Sequence, residues 1–353
     1  MATSGVMSRR EAFLDRGVGE SRGVVMLDGR PERLLIRRDG DPACLVMGAR
    51  SIARVRKVEP AFASAFLELP GGQEAILALR PDAPRPVQGG SVEVEIRGEP
   101  RRGKLATAWL LGPADGAPAL LAPAPGLQED LLALSKADEI ETGPEARIAA
   151  DEAEAEALLI EHPLPGGGSL AIEPTRALTA IDVDTGERTG SDSKRVARQA
   201  NLAAINEAAR LLRLKGIGGL VVFDLAGRGH DGHAMLAAVR TAFGPDNPGV
   251  AIGPLSRFGT IEVTVPRRRR PVLERLQSES GGLTPLTAAL RLVRVLEREG
   301  RADPGGRLLA RCSPEVAQAF KDLEPAVRDL LGGRFAIEAQ PDWASDRMDV
   351  ISR

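Results

Sequence analysis

Apolar and polar positions alternate from Gly23 to Met47, interrupted at Asp28-Gly29 and Asp39-Gly40. A period of two broken by turn dipeptides predicts two or three antiparallel strands. Short alternating runs continue from Gly48 to Leu105 as SIARVRKVEP, ASAFLELP, EAILAL and SVEVEIRGEP, with a Pro70-Gly71-Gly72 turn among them. Short strands packed this closely in roughly 60 residues fit a small barrel of OB type, and on periodicity alone a β-sandwich fits almost as well.

Gly112 to Pro125 is rich in Ala, Pro and Gly and reads as a linker. The following stretch, QEDLLALSKADEIETGPEARIAADEAEAEALLIEH, is helical in composition and strongly acidic, and predicts a solvated helix face. Pro163 to Phe258 changes texture. Leu170–Ile172 and Ala177–Val183 are β-rich around Pro174, and Ser193 to Lys215 carries apolar residues at helical spacing up to a Gly216 stop. Gly219–Leu225 (GLVVFDL) predicts a buried strand, His233–Phe243 a helix, and Val250–Ile252 and Thr260–Val265 two more strands. Strands alternating with helices predict an α/β layer. The tail repeats the theme with helices at Pro285–Glu299 and Pro314–Phe320 and strands at Arg307–Ala310, Phe335–Glu338 and Met348–Ile351. It predicts a separate small α/β domain of roughly 70 residues.

A chain of 353 residues is too long for one ordinary core, so two or three domains are expected. The formal net charge of −2 means that a polyanion would have to be held by local basic patches. Cys44 and Cys312 lie far apart with no Cys or His at ligand spacing. That argues against a disulfide framework or a zinc knuckle and points to a reducing compartment. MATSGVMSRREAFLDRG lacks the apolar core of a signal peptide, and no uncharged apolar run of about 18 residues occurs. A cytoplasmic protein without a membrane span is expected. With 8 Phe, 2 Trp and no Tyr, any base-stacking reader has few platforms.

The chemistry concentrates in Ala180-Ile181-Asp182-Val183-Asp184. Residues two apart in a strand share a face, so Asp182 and Asp184 project together. Asp224 ends another apolar strand, where an acid is costly unless paired or ligating. Three carboxylates at neighbouring strand ends repel one another and favour a hard cation such as Mg²⁺, with Mn²⁺ as a substitute. Such a metal can activate water for attack on a phosphodiester. The plainer alternative is that Asp184 caps a turn and Asp224 forms an ordinary ion pair.

Two motifs point elsewhere. Gly227-Arg228-Gly229-His230-Asp231-Gly232 follows a strand and precedes a helix, formally a dinucleotide fingerprint. Asp224 would face the pyrophosphate, and Val250–Ile252 ends in Gly253-Pro254 rather than in an acid for the ribose. Asp184-Thr185-Gly186 copies the aspartic-protease tripeptide, but only once, and those enzymes need two. Basic candidates are Arg257, the run Arg267-Arg268-Arg269-Arg270, and Arg101, Arg102 and Lys104. Arginine suits bidentate phosphate contact, although solvated surface charge is the default for any one of them. His230 and His233 flank Asp231 after the Asp224 strand, with His233 near enough to tune the site.

Around these aspartates the chain resembles the ribonuclease E/G family. The resemblance rests on LPGGGSLAIEPTRALTAIDVDTGERTG, QANLAAINEAARLLRLKGIGGLVVFDL and LSRFGTIEV, in family order and spacing. More weakly, VEPAFASAFLEL with GGQEAILAL resembles the family's OB-fold RNA-binding domain. ARCSPEVAQAF and FAIEAQPDWASDRMDVI resemble its C-terminal small domain. The resemblance implies metal-binding aspartates at Asp182 and Asp224, on a DNase I-like subdomain that cuts RNA internally. It places Asp184 where the family carries Asn, making it a possible third ligand. Phe66 matches a base-stacking Phe whose aromatic partner position is Ile76, and Lys104 matches a basic RNA contact.

The chain also departs from the family. The segment between Leu105 and Glu161 is too short for a 5′-sensor domain, Gln277–Pro285 replaces the zinc-link Cys motif, and Gly227 stands where a second acid commonly follows. No zinc, and no oligomer through a zinc link, is therefore expected. The expected architecture is an α+β and α/β multidomain chain with a flexible tail at 1–22 and, at 23–47, an N-terminal β segment packing on the catalytic region. An OB-fold RNA-binding domain follows at 48–105, then a linker and acidic helical segment at 106–160. An RNase H-like/DNase I-like catalytic domain occupies 161–276 and a small C-terminal α/β domain 283–353. The expected function is a metal-dependent endoribonuclease acting on single-stranded RNA; the alternative is an RNA-binding relative with a degenerate, inactive site.

Overall fold

Three strands open the fold: β1 (Arg10–Arg16), β2 (Glu20–Leu27) and β3 (Arg30–Arg38). They belong to a computed structural model that describes residues 9–81, 84–188 and 192–353. Strands β2 and β3 form a hairpin around Asp28-Gly29, as their alternation predicts. The expected tail is corrected here. Residues 1–8 lie outside the described residues, but Arg10–Arg16 pairs along its whole length with β2. Its pattern is hard to read because the apolar run is only Ala12-Phe13-Leu14 between Glu11 and Asp15, and Asp15 is itself buried.

The barrel follows: β4 (Arg50–Glu59), β5 (Ser64–Glu68), β6 (Glu74–Ala78), β7 (Ser91–Gly98) and β8 (Ala106–Ala114), with β9 (Ala119–Ala122) added at its edge. Order β5-β6-β8-β7-β4, closed by a β5–β4 pairing and with β6 parallel to β8, makes a five-stranded OB-like barrel. Its core is its own, built from inward residues such as Val55, Leu67, Leu77, Val94, Ile96 and Ala108. The fifth strand, β8, falls beyond residue 105, in what reads as linker. Pro113 and the Gly/Ala content disguise it; pairing with β7 and β6 makes it a strand.

Helix α1 (Leu127–Ser135), β10 (Ile140–Thr142) and α2 (Pro144–Leu158) return the chain to the first sheet. β10 adds parallel to β1, giving the order β10-β1-β2-β3. Helix α2 has a solvated face, with Glu145, Asp151 and Glu152 exposed, but its other face is buried. Ala146, Ala149, Ala150, Ala153 and Ala157 of α2 are covered, and Glu154 is 3% exposed. Alanines let α2 lie close to its neighbours, while α1 covers the opposite face of the sheet through Leu131. Leu131 presses so near Gly23 that a Cβ there would come within 2.9 Å of it.

The central unit comprises β11 (Glu161–Pro163), β12 (Ser169–Pro174), β13 (Thr179–Asp184), α3 (Ser193–Lys215), β14 (Gly219–Asp224), α4 (Gly232–Ala242), β15 (Ala251–Ile252), β16 (Thr260–Val265) and α5 (Val272–Leu276). Its six strands run β11-β12-β13-β14-β16-β15, with β13 and β14 parallel across the α3 crossover and the other pairs antiparallel. Ile181, Val183, Val221, Phe223, Ile261 and Val263 point into a core that also holds α3, α2 and Val24, Met26, Leu34 and Ile36 of the first sheet. The two sheets thus share one core around α2 and α3.

The last unit is α6 (Pro285–Ala302), β17 (Leu308–Cys312), α7 (Pro314–Phe320), α8 (Glu324–Leu331), β18 (Phe335–Ala339) and β19 (Asp349–Ser352). Its sheet runs β18-β17-β19 over a separate core that includes Leu292, Leu296, Val316, Phe320 and Val327. Helix α8 has no counterpart in the sequence reading; it is short and carries Pro in its first turn.

Buried charges join these units. Arg22, 1% exposed, contacts Asp15 at 2.6 Å and Glu154 at 3.0 Å. From α6, Arg291 reaches Glu154 at 2.7 Å and Arg294 reaches Glu20 at 2.9 Å. Burial alone would raise the Glu154 carboxyl, but Arg294, Arg291 and Arg22 together hold it below the usual range.

A second buried pair makes stability depend on pH. Lys215 donates to the carbonyls of Ala157, at 2.9 Å, and Leu159, and burial pushes its ammonium down to about 8. Burial, and then the nearby Lys215, push the His162 imidazole down to about 4 from 6.5. The unfolded chain therefore takes up that proton first, and stability falls as pH drops from 6.5 towards 4. In urea unfolding at pH 7 and pH 4.5, His162→Gln is expected to flatten the pH dependence by about 1–2 kcal/mol. Parallel profiles for the two proteins would refute this coupling.

Candidate metal and RNA site

Strand alternation puts Ile181, Val183 and Phe223 into the core, so Asp182, Asp184 and Asp224 emerge together on the other, open face of the central sheet. Asp182 and Asp224 are direct partners in the parallel β13–β14 register. Their row reads Ala171, Asp182, Asp224, Thr260 across four strands, so small side chains flank the acids. Adjacent strands stand about 4.8 Å apart, which sets two carboxylates side by side. Both are exposed, and among the described residues neither takes a hydrogen bond or an ion pair. Two like charges at this spacing, without a basic partner, are relieved by a shared cation.

Asp184 behaves differently. It stands opposite Ser169 in the β12–β13 register, and its Oδ1 accepts from the Gly186 amide at 2.8 Å. Its carboxylate is engaged in its own turn. Among the described residues, no group of three or more His, Cys, Asp or Glu side chains converges as a metal cluster. The geometry therefore offers a pair, which suits an ion that takes few carboxylates and keeps its waters.

The turn before β16 borders this row. Ser256 braces it, its hydroxyl 2.8 Å from Thr260 Oγ1 and accepting from the Phe258 and Thr260 amides at 3.2 Å. The Leu225 amide, next to Asp224, donates to Gly259 O at 3.2 Å. Arg257 and Phe258 thus sit at the end of the acid row, the guanidinium 4.6 Å from a ring that is 75% exposed. His230 packs its Nε2 towards Gly259 without a hydrogen-bond partner in the described structure, while His233 is exposed in the first turn of α4.

Residues 140–270, which contain both aspartates, match the sequence model of the Ribonuclease E/G family. Ribonuclease E of Haemophilus influenzae is 41% identical over 104 residues, 29% of this chain and 11% of that protein. Ribonuclease G of Salmonella typhimurium is 27% identical over 202 residues, 53% of this chain and 41% of that protein. Ribonuclease G of Escherichia coli K12 is 26% identical over the same length. Over this block the chain is similar to the ribonuclease E/G family. Its matched part spans less than half of the ribonuclease G relatives and about a tenth of the ribonuclease E relative.

The other residues singled out from sequence are spread over the chain. Phe66 lies on the outer face of β5, opposite Ile76, and is 36% exposed. Lys104 is exposed at a tight turn between β7 and β8, held by reciprocal backbone bonds with Arg101. Arg102 is tied to α5, its amide donating to Glu274. The arginine run is turned towards protein acceptors. Arg267 donates to Gly218 O, Arg268 to Pro248 O, Arg269 pairs with Asp130 at 2.9 Å, and Arg270 donates to Glu274 O. Glu99 of the barrel binds Arg37 and accepts from the Arg270 amide, docking the barrel on the central unit. Gln277 and Leu283 close a small turn by bridging.

Nothing in the sequence singles out Trp109, since a lone Trp in a strand more often signals core. It is 41% exposed on the barrel, with the Arg80 guanidinium 3.8 Å from its ring centroid. Among the described residues no helix is long and apolar enough to cross a membrane.

Proposed function

We propose that this chain is a metal-dependent endoribonuclease that cuts single-stranded RNA at the Asp182–Asp224 pair. One observation carries the reading: two exposed carboxylates in direct register, unpaired among the described residues, inside the block that matches the family. Asp182 and Asp224 would hold Mg²⁺, or Mn²⁺ in its place. When bound, that ion lowers the cost of deprotonating a water and neutralises charge on phosphoryl oxygens. The chain's own groups do the rest. Arg257, on the braced turn, is placed to meet a phosphate, and Phe258 beside it offers a face for a base. Phe66 and Lys104 on the barrel would hold the strand further along. In this reading the central unit is a nuclease domain of DNase I-like type, the barrel is an RNA-binding OB domain, and any oligomer forms without zinc. The setting is cytoplasmic RNA processing or decay.

The test uses a labelled single-stranded RNA and its circular form. Cleavage of both with Mg²⁺, and of neither with EDTA, is expected, because an endonuclease needs no end. Matched substrates with 5′-hydroxyl, monophosphate and triphosphate ends should be cut at rates within about threefold of one another, since so small a difference in binding corresponds to under 1 kcal/mol. A large monophosphate preference would contradict this end-independence. RNA binding without cleavage in either metal would identify a degenerate relative instead.

A further inference from the structure

A basic cleft lies beyond the carboxyl ends of the parallel strands β13 and β14. Lys194, Arg195 and Arg198 from the start of α3 form one wall, and Arg228 with Gly229 and His230 from the β14–α4 loop form the other. Its volume is ≈ 350 Å³. Only two carboxylates line it, and both are engaged: Asp192 accepts from the Lys194 and Arg195 amides, and Asp231 from the Ala234 amide. Among the described residues, Lys194, Arg195 and Arg228 form no ion pair, and Arg198 reaches Asp231 only at 3.8 Å. This contrasts with Arg267–Arg270, whose side chains all find protein partners.

The walls are fixed to each other. Asn201, fully buried in α3, donates to Ala226 O at 3.0 Å and accepts from the Ala226 amide at 2.9 Å. Gly227, the next residue, lies so near α3 that a Cβ there would come within 2.9 Å of Ala197. Arg228 follows Asp224 by four residues, so this clamp holds the cleft at a set position relative to the acid pair. Four cations against two carboxylates leave the braced cleft net positive, and an anion relieves the remaining repulsion.

We propose that this cleft binds a phosphate group of the RNA strand whose scissile bond lies at Asp182–Asp224. The inference rests on the proposed function for the identity of the polyanion, but not for the presence of the anion site. Arginine forks and a lysine suit phosphate oxygens, and the contact is independent of base identity. The cleft takes either an internal phosphodiester or a terminal phosphomonoester, and it would hold the strand in register with the acids.

The test is binding, measured in EDTA so that cleavage plays no part. The double variant Arg198→Gln/Arg228→Gln is compared with the unaltered chain and with Arg240→Gln/Lys321→Gln, a charge-matched control outside the cleft; unchanged thermal unfolding verifies folding. The cleft variant should weaken binding of a 5′-hydroxyl single strand about tenfold, uniformly across sequences, and reduce the magnitude of the log–log salt slope by about 1. The control should do neither. Inorganic phosphate, titrated at low salt, should bind the unaltered chain and the control but not the cleft variant.

If the cleft variant binds both 5′-hydroxyl and 5′-phosphorylated RNA with unchanged affinity and slope, the assignment is overturned, even if phosphate binding is lost. An effect confined to 5′-phosphorylated RNA identifies the terminal phosphomonoester as the source. Cleft-dependent RNA binding by a protein that cuts nothing would leave this site standing and overturn the nuclease reading instead.

Discussion

Replacing Asp182 or Asp224 with asparagine is expected to lower the rate of RNA cleavage at saturating Mg²⁺ by about 10³-fold or more. A metal contributes several kcal/mol of charge stabilisation at a phosphoryl centre, and each 1.36 kcal/mol is about tenfold in rate. Both acids are exposed and unpaired, so neither substitution should disturb folding. RNA affinity in EDTA should stay within about twofold, or rise slightly as a negative charge leaves a polyanion site. Asp184→Asn is the internal comparison. An asparagine Oδ1 can accept from the Gly186 amide as the carboxylate does, so rate and Mg²⁺ dependence should be retained within about threefold. Wild-type rates in Asp182→Asn or Asp224→Asn would refute the site. A collapse in Asp184→Asn would make its turn carboxylate a ligand after all.

The largest stability effect is expected at Arg22. Arg22→Met should destabilise the fold by about 3–5 kcal/mol in urea unfolding, the cost of leaving buried charges without their partner. Asp15 and Glu154 lose their contacts with it at 2.6 and 3.0 Å, although Arg147 and Arg291 still reach them. The Glu154 carboxyl is held below its ordinary range by its arginines. Its contribution is present above the unfolded value near 4.5 and is lost as pH falls through the lower folded value. The acid limb of the stability profile should therefore be shallower in Arg22→Met. The pair Arg22→Met/Glu154→Met should cost less than the sum of its single changes, because the second substitution removes the stranded charge. A loss under about 1 kcal/mol for Arg22→Met would show that the network does not hold the units together.

The acid pair was legible because strand alternation is a local rule: once Ile181, Val183 and Phe223 are read as core, the faces of Asp182 and Asp224 follow. Helix α3 was equally plain, running from its Asp192 cap to the Gly216 stop. What local rules miss depends on distant partners. Strand β1 owes its structure to β2 and to β10, which comes from the other side of the barrel. Helix α2 looks solvated until Arg22, Arg291 and Arg294 arrive from both ends of the chain to neutralise Glu154. Four consecutive arginines look like a nucleic-acid contact, yet Arg269 meets Asp130 and the others meet backbone carbonyls. Of the cleft cations, Lys194, Arg195 and Arg198 share the first turns of α3, but Arg228 lies 30 residues further on. Only the fold brings Arg228 to the other three.

The barrel interrupts the first sheet, and its two ends touch: a Cβ at Gly48 would lie 2.9 Å from Pro125. All five strands that close the barrel lie between Arg50 and Ala114, whereas β1 to β3 wait for β10 and α2. On a ribosome the barrel can close first, while Val24, Met26, Leu34 and Ile36 still lack the helix that covers them. Once closed, it brings the end of β3 near the start of α1 and turns a long chain excursion into a short one. Closure entropy grows with the length of the loop to be joined, so the folded barrel acts as a clasp that makes completing the sheet easier. The part read as an RNA-binding module thus also shortens the chain excursion that its neighbouring sheet has to close.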